Sequence, residues 1–127
     1  MNIIIDTHIF LWVLADPLRI DDKNRSALED LSNTIFVSAV TIAELMIKAS
    51  IGKLQIDFDP VAMARESGFE LLSFSPEAAL LLKDLPFHHK DPFDRMLISQ
   101  SIADNCPIMT HDPKIAMYKC PIFNPGG

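Results

Sequence analysis

The sequence predicts an α/β fold, a three-layer α/β/α sandwich around a mostly parallel sheet of four to five strands. Short apolar or β-branched runs alternate along the chain with segments of helical periodicity, as in a parallel sheet with helical crossovers. Asp-Pro and Ser-Pro pairs, which favour helix starts, precede several of those segments. The 127 residues are 49% hydrophobic and 22% charged, as in a globular protein with a sizeable core. We expect a single domain over residues 1–127.

The strands are predicted from short runs rich in β-branched or aromatic residues. The runs are residues 3–5, 35–37, 69–73 and 107–110, and 120–123 is expected at an edge of the sheet, where a proline is tolerated. An isoleucine run such as 3–5 suits a central strand that is covered on both faces.

The helices are predicted from apolar spacing and from their start and stop residues. They comprise a short helix ending near Asp16-Pro17, residues 22–31, a helix from about Ser38 or Thr41 to Ser50, and residues 60–68, 75–83 and 92–104, with a last short helix from Asp112-Pro113. Leu28 and Leu31 are expected to face the core, and Gly52 is expected to end its helix in the left-handed conformation.

Composition and charge exclude some classes of protein. The formal net charge of −6 argues against a general nucleic-acid coat protein, which needs a basic field, but it is compatible with a nuclease that binds metal through acids. The start lacks the basic region of a signal peptide and no apolar run is long enough to span a membrane, so we expect a cytoplasmic protein. Cys106 and Cys120 are not in metal-ligand spacing and are interpreted as free, buried thiols.

The most informative stretch is residues 88–101, where a charged segment leads into an apolar helix. Asp91 before Pro92 is a typical N-cap, and Asp94 lies on the same face within one turn. One acceptor is enough for a cap, so two carboxylates beside two histidines suggest a ligand. The structural alternative is a cap plus an acid favoured by the helix dipole.

Four acids are predicted at one edge of the sheet, because ligands gather at the carboxyl ends of parallel strands. They are Asp6, Glu44, Asp94 and Asp112. Capping is an alternative for Asp112, and a Thr41 capping box is one for Glu44. Asp6, between apolar segments, would be partly desolvated, which a cap only partly offsets.

A divalent cation would relieve the repulsion among four clustered acids. Carboxylates with waters suit Mg²⁺ or Mn²⁺, one or two ions, whereas zinc would draw on cysteines or paired histidines. His88 and His89 are adjacent and expected to point apart, toward solvent or substrate. Zinc is the lesser alternative.

With these residues in place, the sequence resembles the PIN-domain ribonucleases, and among them the VapC-like toxins of type II toxin–antitoxin pairs. Residues 3–7, 37–45, 91–97 and 110–112 resemble the family's first to fourth acidic motifs in order. Lys48 followed by Gly52-Lys53-Leu54 resembles a feature of one VapC-like subgroup, in which Asp91 is an extra acid beside the motif's metal-binding Asp94.

The resemblance implies metal-dependent hydrolysis of RNA phosphodiesters, with Asp6, Glu44, Asp94 and Asp112 holding the metal. It also implies an antitoxin partner and a homodimer. Supporting or substrate-binding roles are predicted for Thr7, Asp91, Arg95 and Thr110. Arg95, Lys90, His88 and His89 are candidate phosphate contacts, and the alternative for all four is a solvated surface charge. Trp12 and Phe10 are candidates for stacking on a base, with core or interface packing as the alternative.

Two other function classes remain open from the sequence. A phosphatase could use Asp6 as its nucleophile, but enzymes of the haloacid-dehalogenase type need a second aspartate two residues later, where this chain has His8. A non-enzymatic interaction module would use the acids as helix caps and the methionines and aromatic residues as a partner groove.

Overall fold

The sheet of the computed structural model, which describes residues 1–123, contains four parallel strands. They are β1 (Asn2–Ile5), β2 (Thr34–Ser38), β3 (Glu70–Leu72) and β4 (Ile108–Met109). Their spatial order is β3-β2-β1-β4, so β1 lies inside the sheet between β2 and β4. The predicted parallel α/β architecture is confirmed.

Helical segments connect these strands. They are α1 (Thr7–Ala15), α2 (Asp22–Glu29), α3 (Ala39–Ser50), α4 (Pro60–Glu66), α5 (Pro76–Leu80), α6 (Pro92–Asp104) and α7 (Pro113–Ala116), with 3₁₀ turns at Pro17–Arg19 and Leu81–Asp84. Asp or Ser side chains accept from free backbone amides at the starts of all seven α-helices. Side-chain capping therefore sets most of the helix boundaries, as the Asp-Pro and Ser-Pro pairs predict.

The core has one apolar cluster on each face of the sheet. Ile3 and Ile5 of β1 pack with Phe10 on one face, whereas Ile4 packs with Leu97 and Ile98 of α6 on the other. All three isoleucines of β1 are fully buried. Successive side chains of a strand point to opposite faces, so the isoleucine run is what a strand between two helical layers requires.

The strand register determines where the functional residues lie. Ile5 pairs with Val37 of β2 and with Met109 of β4, so these three strands reach the same edge of the sheet together. The backbone amide of Asp6 donates to the carbonyl of Met109 at 3.2 Å. The residues that immediately follow β1, β2 and β4 therefore meet at the carboxyl edge.

Two predicted features differ from the structure. Residues 120–123 form no strand; a single parallel bridge joins Ile122 to Ile108. Leu31 is 99% exposed instead of buried, because α2 ends at Glu29 and the Asp30 side chain accepts from Ser32, which turns the chain.

Other predictions hold. Gly52 has a φ of 77°, the left-handed conformation expected of a helix terminator. Cys106 and Cys120 are free; Cys106 is buried as predicted and Cys120 is half-buried, and burial raises the pKa of both thiols. In the described residues, none of the helices has the length and apolar character needed to cross a bilayer.

Candidate metal centre

Asp6 follows β1 directly and caps α1, with its side chain only 2% exposed. One carboxylate oxygen, Oδ1, accepts from the Ile9 amide at 2.8 Å, and the other, Oδ2, accepts from the Thr110 hydroxyl at 2.5 Å. Burial raises the pKa of Asp6, and these two hydrogen bonds oppose that rise. Each oxygen has a second lone pair, so the carboxylate can still accept a further hydrogen bond or bind a cation.

Thr110 connects Asp6 to Asp112. Its hydroxyl oxygen, which donates to Asp6, also accepts from the backbone amide of Asp112 at 3.0 Å. Asp112 then caps α7 through Oδ1, which accepts from the Lys114 amide at 2.8 Å, while its Oδ2 lies 3.0 Å from Nε2 of His89. The capping interpretation of Asp112 is correct for one oxygen, and the second oxygen contacts the His89 ring instead.

Glu44 comes from α3 and is buried. Its Oε1 accepts from the Thr7 hydroxyl at 2.7 Å, and its Oε2 lies 2.5 Å from the ammonium of Lys48, one turn later on the same helix. The hydrogen bond to Glu44 is the main reason that the pKa of Lys48 is raised. The Thr41 capping box is wrong, because Ser38 is the N-cap of α3 and Thr41 lies inside the helix, where its hydroxyl is 3.2 Å from that of Thr7.

Asp91 and Asp94 have different roles at the start of α6. Asp91 is the N-cap, and its Oδ1 accepts from the amides of Phe93 and Asp94 at 2.8 and 3.2 Å. Asp94 has no capping role, and its Oδ2 lies 2.9 Å from Nε2 of His89. Burial, together with the negative charges of Asp91, Glu44 and Asp6, raises the pKa of Asp94 to about 7, and His89 opposes that rise. The structure therefore brings the four predicted acids into one electrostatic cluster.

His89, which the sequence analysis expected to point toward solvent or substrate, lies within the acidic cluster. Its ring lies between Asp94 and Asp112, and single ligand atoms of these three residues all lie within 4.8 Å of one another. The backbone amide of Asp91 donates to Nδ1 of His89 at 3.1 Å, which leaves the ring proton on Nε2, the atom facing both carboxylates. In this tautomer Nε2–H donates to the carboxylates of Asp94 and Asp112, and the proton must leave Nε2 before this atom can ligate a cation. His88 is exposed, and its ring meets Tyr118 edge-on at 5.0 Å.

Arg95 requires a correction. The sequence suggested a phosphate contact or a solvated charge, but the side chain is 7% exposed and is held by backbone carbonyls. It donates to the carbonyls of Pro86 at 2.7 Å, Leu85 at 3.2 Å and Leu82 at 3.3 Å, and to the Tyr118 hydroxyl at 3.2 Å. With its donors occupied in this way, Arg95 supports the loop that carries His89.

These residues fit a divalent cation. Carboxylates from the ends of β1 and β4 and from α3 and α6 share one electrostatic cluster: Glu44 and Asp6 help to raise the pKa of Asp94, and Asp112 adds to the rise that burial causes in the pKa of Asp6. Oxygen donors with one imidazole suit Mg²⁺ or Mn²⁺, and the imidazole makes the set acceptable to other transition metals as well. The two cysteines take no part, since both lie in or against the apolar cluster on one face of the sheet.

Comparison with known proteins gives the family. Residues 3–119 match the family model described as the PIN domain. The chain belongs to the PIN-domain family. The match spans the strands, the helices and all four acids of this PIN domain.

Several solved structures are similar in fold to this PIN domain. VapBC2 from Rickettsia felis, bound to a DNA fragment from its promoter, aligns with a TM-score of 0.73 and 21% identity over 98% of both chains. DNA-bound VapBC from Salmonella typhimurium aligns with a TM-score of 0.70 and 14% identity, over 98% of this chain and 97% of that one. VapBC-1 from nontypeable Haemophilus influenzae aligns with a TM-score of 0.67 and 14% identity over the full length of both. A search of curated protein sequences found no significant match.

Proposed function

We propose that this PIN domain is a Mg²⁺- or Mn²⁺-dependent endoribonuclease and the toxin of a type II toxin–antitoxin pair. The observation that carries the proposal is the meeting of Asp6, Glu44, Asp94 and Asp112 at one edge of the sheet, where burial and mutual repulsion favour a bound cation. Isolated caps would not require acids from four separate elements to lie within one another's electrostatic field. A single catalytic domain over residues 1–127 is part of the proposal.

In this proposal the four acids hold one or two divalent cations. A divalent cation held there would supply Lewis-acid chemistry: it would lower the pKa of a water and neutralise negative charge on the phosphate. The protein supplies the orientation of the ligands: Thr110 holds Asp6, and Thr7 with Lys48 holds Glu44. Asp91 positions the first turn of α6 and so places Asp94.

The toxin assignment is supported by the similar folds. The matched assemblies are described as VapBC, and two of those cited are bound to DNA. Because the alignments cover nearly the whole of each chain, this chain has the size and topology of a VapBC component. We propose an antitoxin protein as its partner, a homodimer as its own assembly and the cytoplasm as its location.

Cleavage of RNA by the purified protein tests the proposed activity. A panel of single-stranded and structured RNAs is incubated with Mg²⁺, with Mn²⁺ or with EDTA, and Asp6→Asn is prepared identically. We expect metal-dependent cleavage that is lost in Asp6→Asn. The matched control is Asp57→Asn, because Asp57 is exposed and forms no side-chain hydrogen bond within residues 1–123; it should cleave normally.

Metal titration of the same proteins separates the alternatives. A chain that binds Mn²⁺ no better than Asp6→Asn would be an interaction module whose acids serve as caps. A chain that binds Mn²⁺ and hydrolyses a phosphomonoester, but no RNA, would be a phosphatase. Either result would overturn the ribonuclease proposal.

A further inference from the structure

An open cavity of about 480 Å³ adjoins the acidic cluster. Asp6 and Asp112 line one part of it, and Trp12, His8, His111 and Arg19 line the rest. Its size falls within the range of about 300–1,000 Å³ that is typical of small-molecule sites. A molecule bound in this cavity would therefore lie beside two of the acids proposed to hold the cation.

The cavity wall is aromatic and cationic. The Trp12 ring centre lies 6.1 Å from that of His8 and 5.7 Å from that of His111, and both imidazoles are tilted by 39° to the indole. The guanidinium of Arg19 lies 4.7 Å from the centre of the Trp12 ring. Indole, imidazole and guanidinium planes are the groups on which unstacked bases pack in single-stranded nucleic-acid sites.

Arg19 retains its hydrogen-bonding capacity. Across residues 1–123 its guanidinium makes no side-chain hydrogen bond or ion pair, whereas that of Arg95 is occupied by loop carbonyls. His111 has one distant ionic neighbour, with its Nε2 3.7 Å from Oδ2 of Asp21. A free guanidinium on an aromatic ring can meet a phosphate with its edge while its face remains stacked.

We propose that this cavity binds one unpaired nucleotide of the RNA substrate, with its base against Trp12, His8 and His111 and its phosphate side toward Arg19 and the acids. The proposal rests on the proposed ribonuclease function and names the part of the substrate that this site selects. A net charge of −6 provides no general attraction for a polyanion, so local stacking and one arginine supply the affinity. A base inside a duplex cannot reach the wall, so the site selects single strands.

Trp12 is the only tryptophan of the chain, so its fluorescence reports on this cavity alone. The full chain carrying Asp94→Asn, in Mg²⁺, is titrated with a single-stranded RNA hexamer, with the same hexamer in a duplex, and with a hexamer whose central nucleotides are abasic. We expect a saturable fluorescence change with the single strand and at least fivefold weaker binding of the other two. Equal binding of the abasic and complete hexamers would overturn the proposal.

Variants of Trp12 provide the second test, with binding measured by the anisotropy of a labelled hexamer. Trp12→Leu should bind about 5- to 150-fold more weakly, which is the range measured for loss of one stacked base. Trp12→Phe, which retains an aromatic face, should stay within about threefold of the unsubstituted protein. The control is Phe58→Leu, which removes an aromatic ring that does not line the cavity.

The decisive comparison combines the RNA and the protein changes. Removal of the central bases should weaken binding to the protein with Trp12 but should have no further effect in Trp12→Leu, because the two changes remove the same contact. Additive losses would overturn the proposal. Thermal unfolding of each variant confirms that it is folded under the assay conditions.

Failure of this proposal is distinguishable from failure of the proposed function. Metal-dependent RNA cleavage with base-independent binding would overturn the nucleotide site alone. Base-dependent binding through Trp12 without cleavage under any metal would support the site and overturn the ribonuclease activity.

Discussion

Burial and neighbouring negative charges both raise the pKa of Asp94. Its carboxyl group is within the field of Asp91, Glu44 and Asp6, and its pKa is raised to about 7 from an ordinary value of 3.8. A raised carboxyl pKa means that the folded state holds the proton more tightly than the unfolded state does. Without metal, the fold therefore loses stability as the pH rises from about 4 to about 7, and the full cost is present above 7.

Asp94→Asn should remove this cost, because an amide does not ionise. In EDTA at pH 8 we expect the variant to unfold with a free energy at least about 1 kcal/mol higher than the unsubstituted protein, since a tenfold change in proton affinity corresponds to about 1.4 kcal/mol. At pH 4 the difference should be small. Urea unfolding at both pH values measures it, and RNA cleavage by the variant should be abolished.

Asp57→Asn is the control for this effect, because Asp57 is exposed. Its stability should follow the unsubstituted protein at both pH values. A variant Asp94→Asn that is no more stable than the unsubstituted protein at pH 8 would contradict the interpretation of Asp94 as a buried, repelled carboxylate. Normal cleavage by that variant would remove Asp94 from the mechanism.

Thr110 is the residue that joins two acids through one hydroxyl. Thr110→Val retains the shape but removes the donor to Asp6 and the acceptor for the Asp112 amide. Hydrogen bonds to charged groups contribute about 1.5–3 kcal/mol, so we expect Mn²⁺ to bind about 10- to 100-fold more weakly. Isothermal calorimetry measures the affinity.

The matched change is Thr34→Val, since the hydroxyl of this β2 threonine makes no hydrogen bond within residues 1–123. That variant should bind Mn²⁺ as the unsubstituted protein does. Equal affinities for the two valine variants would show that Thr110 does not position the acids.

At the scale of elements, α6 organises both the acids and the loop before it. Its cap, Asp91, and its first-turn acid, Asp94, were evident in the sequence from the Asp-Pro pair and the spacing. The sequence did not indicate that α6 also holds the loop before it. Arg95 of α6 and the Tyr118 hydroxyl both donate to the Pro86 carbonyl, and these contacts fix the loop that carries His89. Carbonyl partners of an arginine have no signature in sequence, because any residue provides them.

Arg95→Lys should therefore be a severe change. One ammonium cannot reach the carbonyls that the guanidinium fork satisfies together, so buried carbonyls are left unpaired at about 1–3 kcal/mol each. We expect the free energy of unfolding to fall by about 2–3 kcal/mol in urea titration. Cleavage should fall with it, because the position of His89 depends on this loop.

Arg65→Lys, at an exposed position of α4, is the control and should leave stability unchanged. If Arg95→Lys left the stability unaltered but weakened RNA binding, Arg95 would be a substrate contact, as the sequence suggested. If Arg95→Lys had normal stability and normal RNA binding, Arg95 would neither support the loop nor contact the substrate.

At the scale of the whole molecule, the acidic cluster joins elements that are far apart in the chain. Asp6 and Thr110, which share the hydrogen bond at its centre, are 104 residues apart. A cation held by these acids would connect the ends of β1 and β4 with the helices α3 and α6. Such a ligand binds only the folded state and must stabilise it.

Mn²⁺ or Mg²⁺ should therefore raise the stability of the whole domain. At a free concentration about 100 times its dissociation constant, the metal adds about 2.7 kcal/mol to the free energy of unfolding. Thermal unfolding with and without EDTA measures this shift, which Asp6→Asn should reduce and Asp57→Asn should not. A chain whose unfolding is unaffected by metal would lack the proposed site.

The sequence by itself determined the order and nature of the elements and the edge at which the acids would lie. Strand runs, Asp-Pro and Ser-Pro caps and the period of apolar residues are short-range signals, and each acts within a few residues of the place it specifies. The errors were also local. Leu31 lies just beyond a helix that ends two residues early, and the run at 120–123 forms a single bridge.

Only the tertiary structure decided what surrounds each side chain. It placed His89 between Asp94 and Asp112, buried Arg95 among loop carbonyls and opened the cavity beside Trp12. These environments depend on groups that are distant in sequence, and their partners include backbone atoms, which carry no residue identity. Burial and the nearby negative charges then set the pKa of Asp94. Neither the burial nor the closeness of Glu44 and Asp6 exists before the chain has folded.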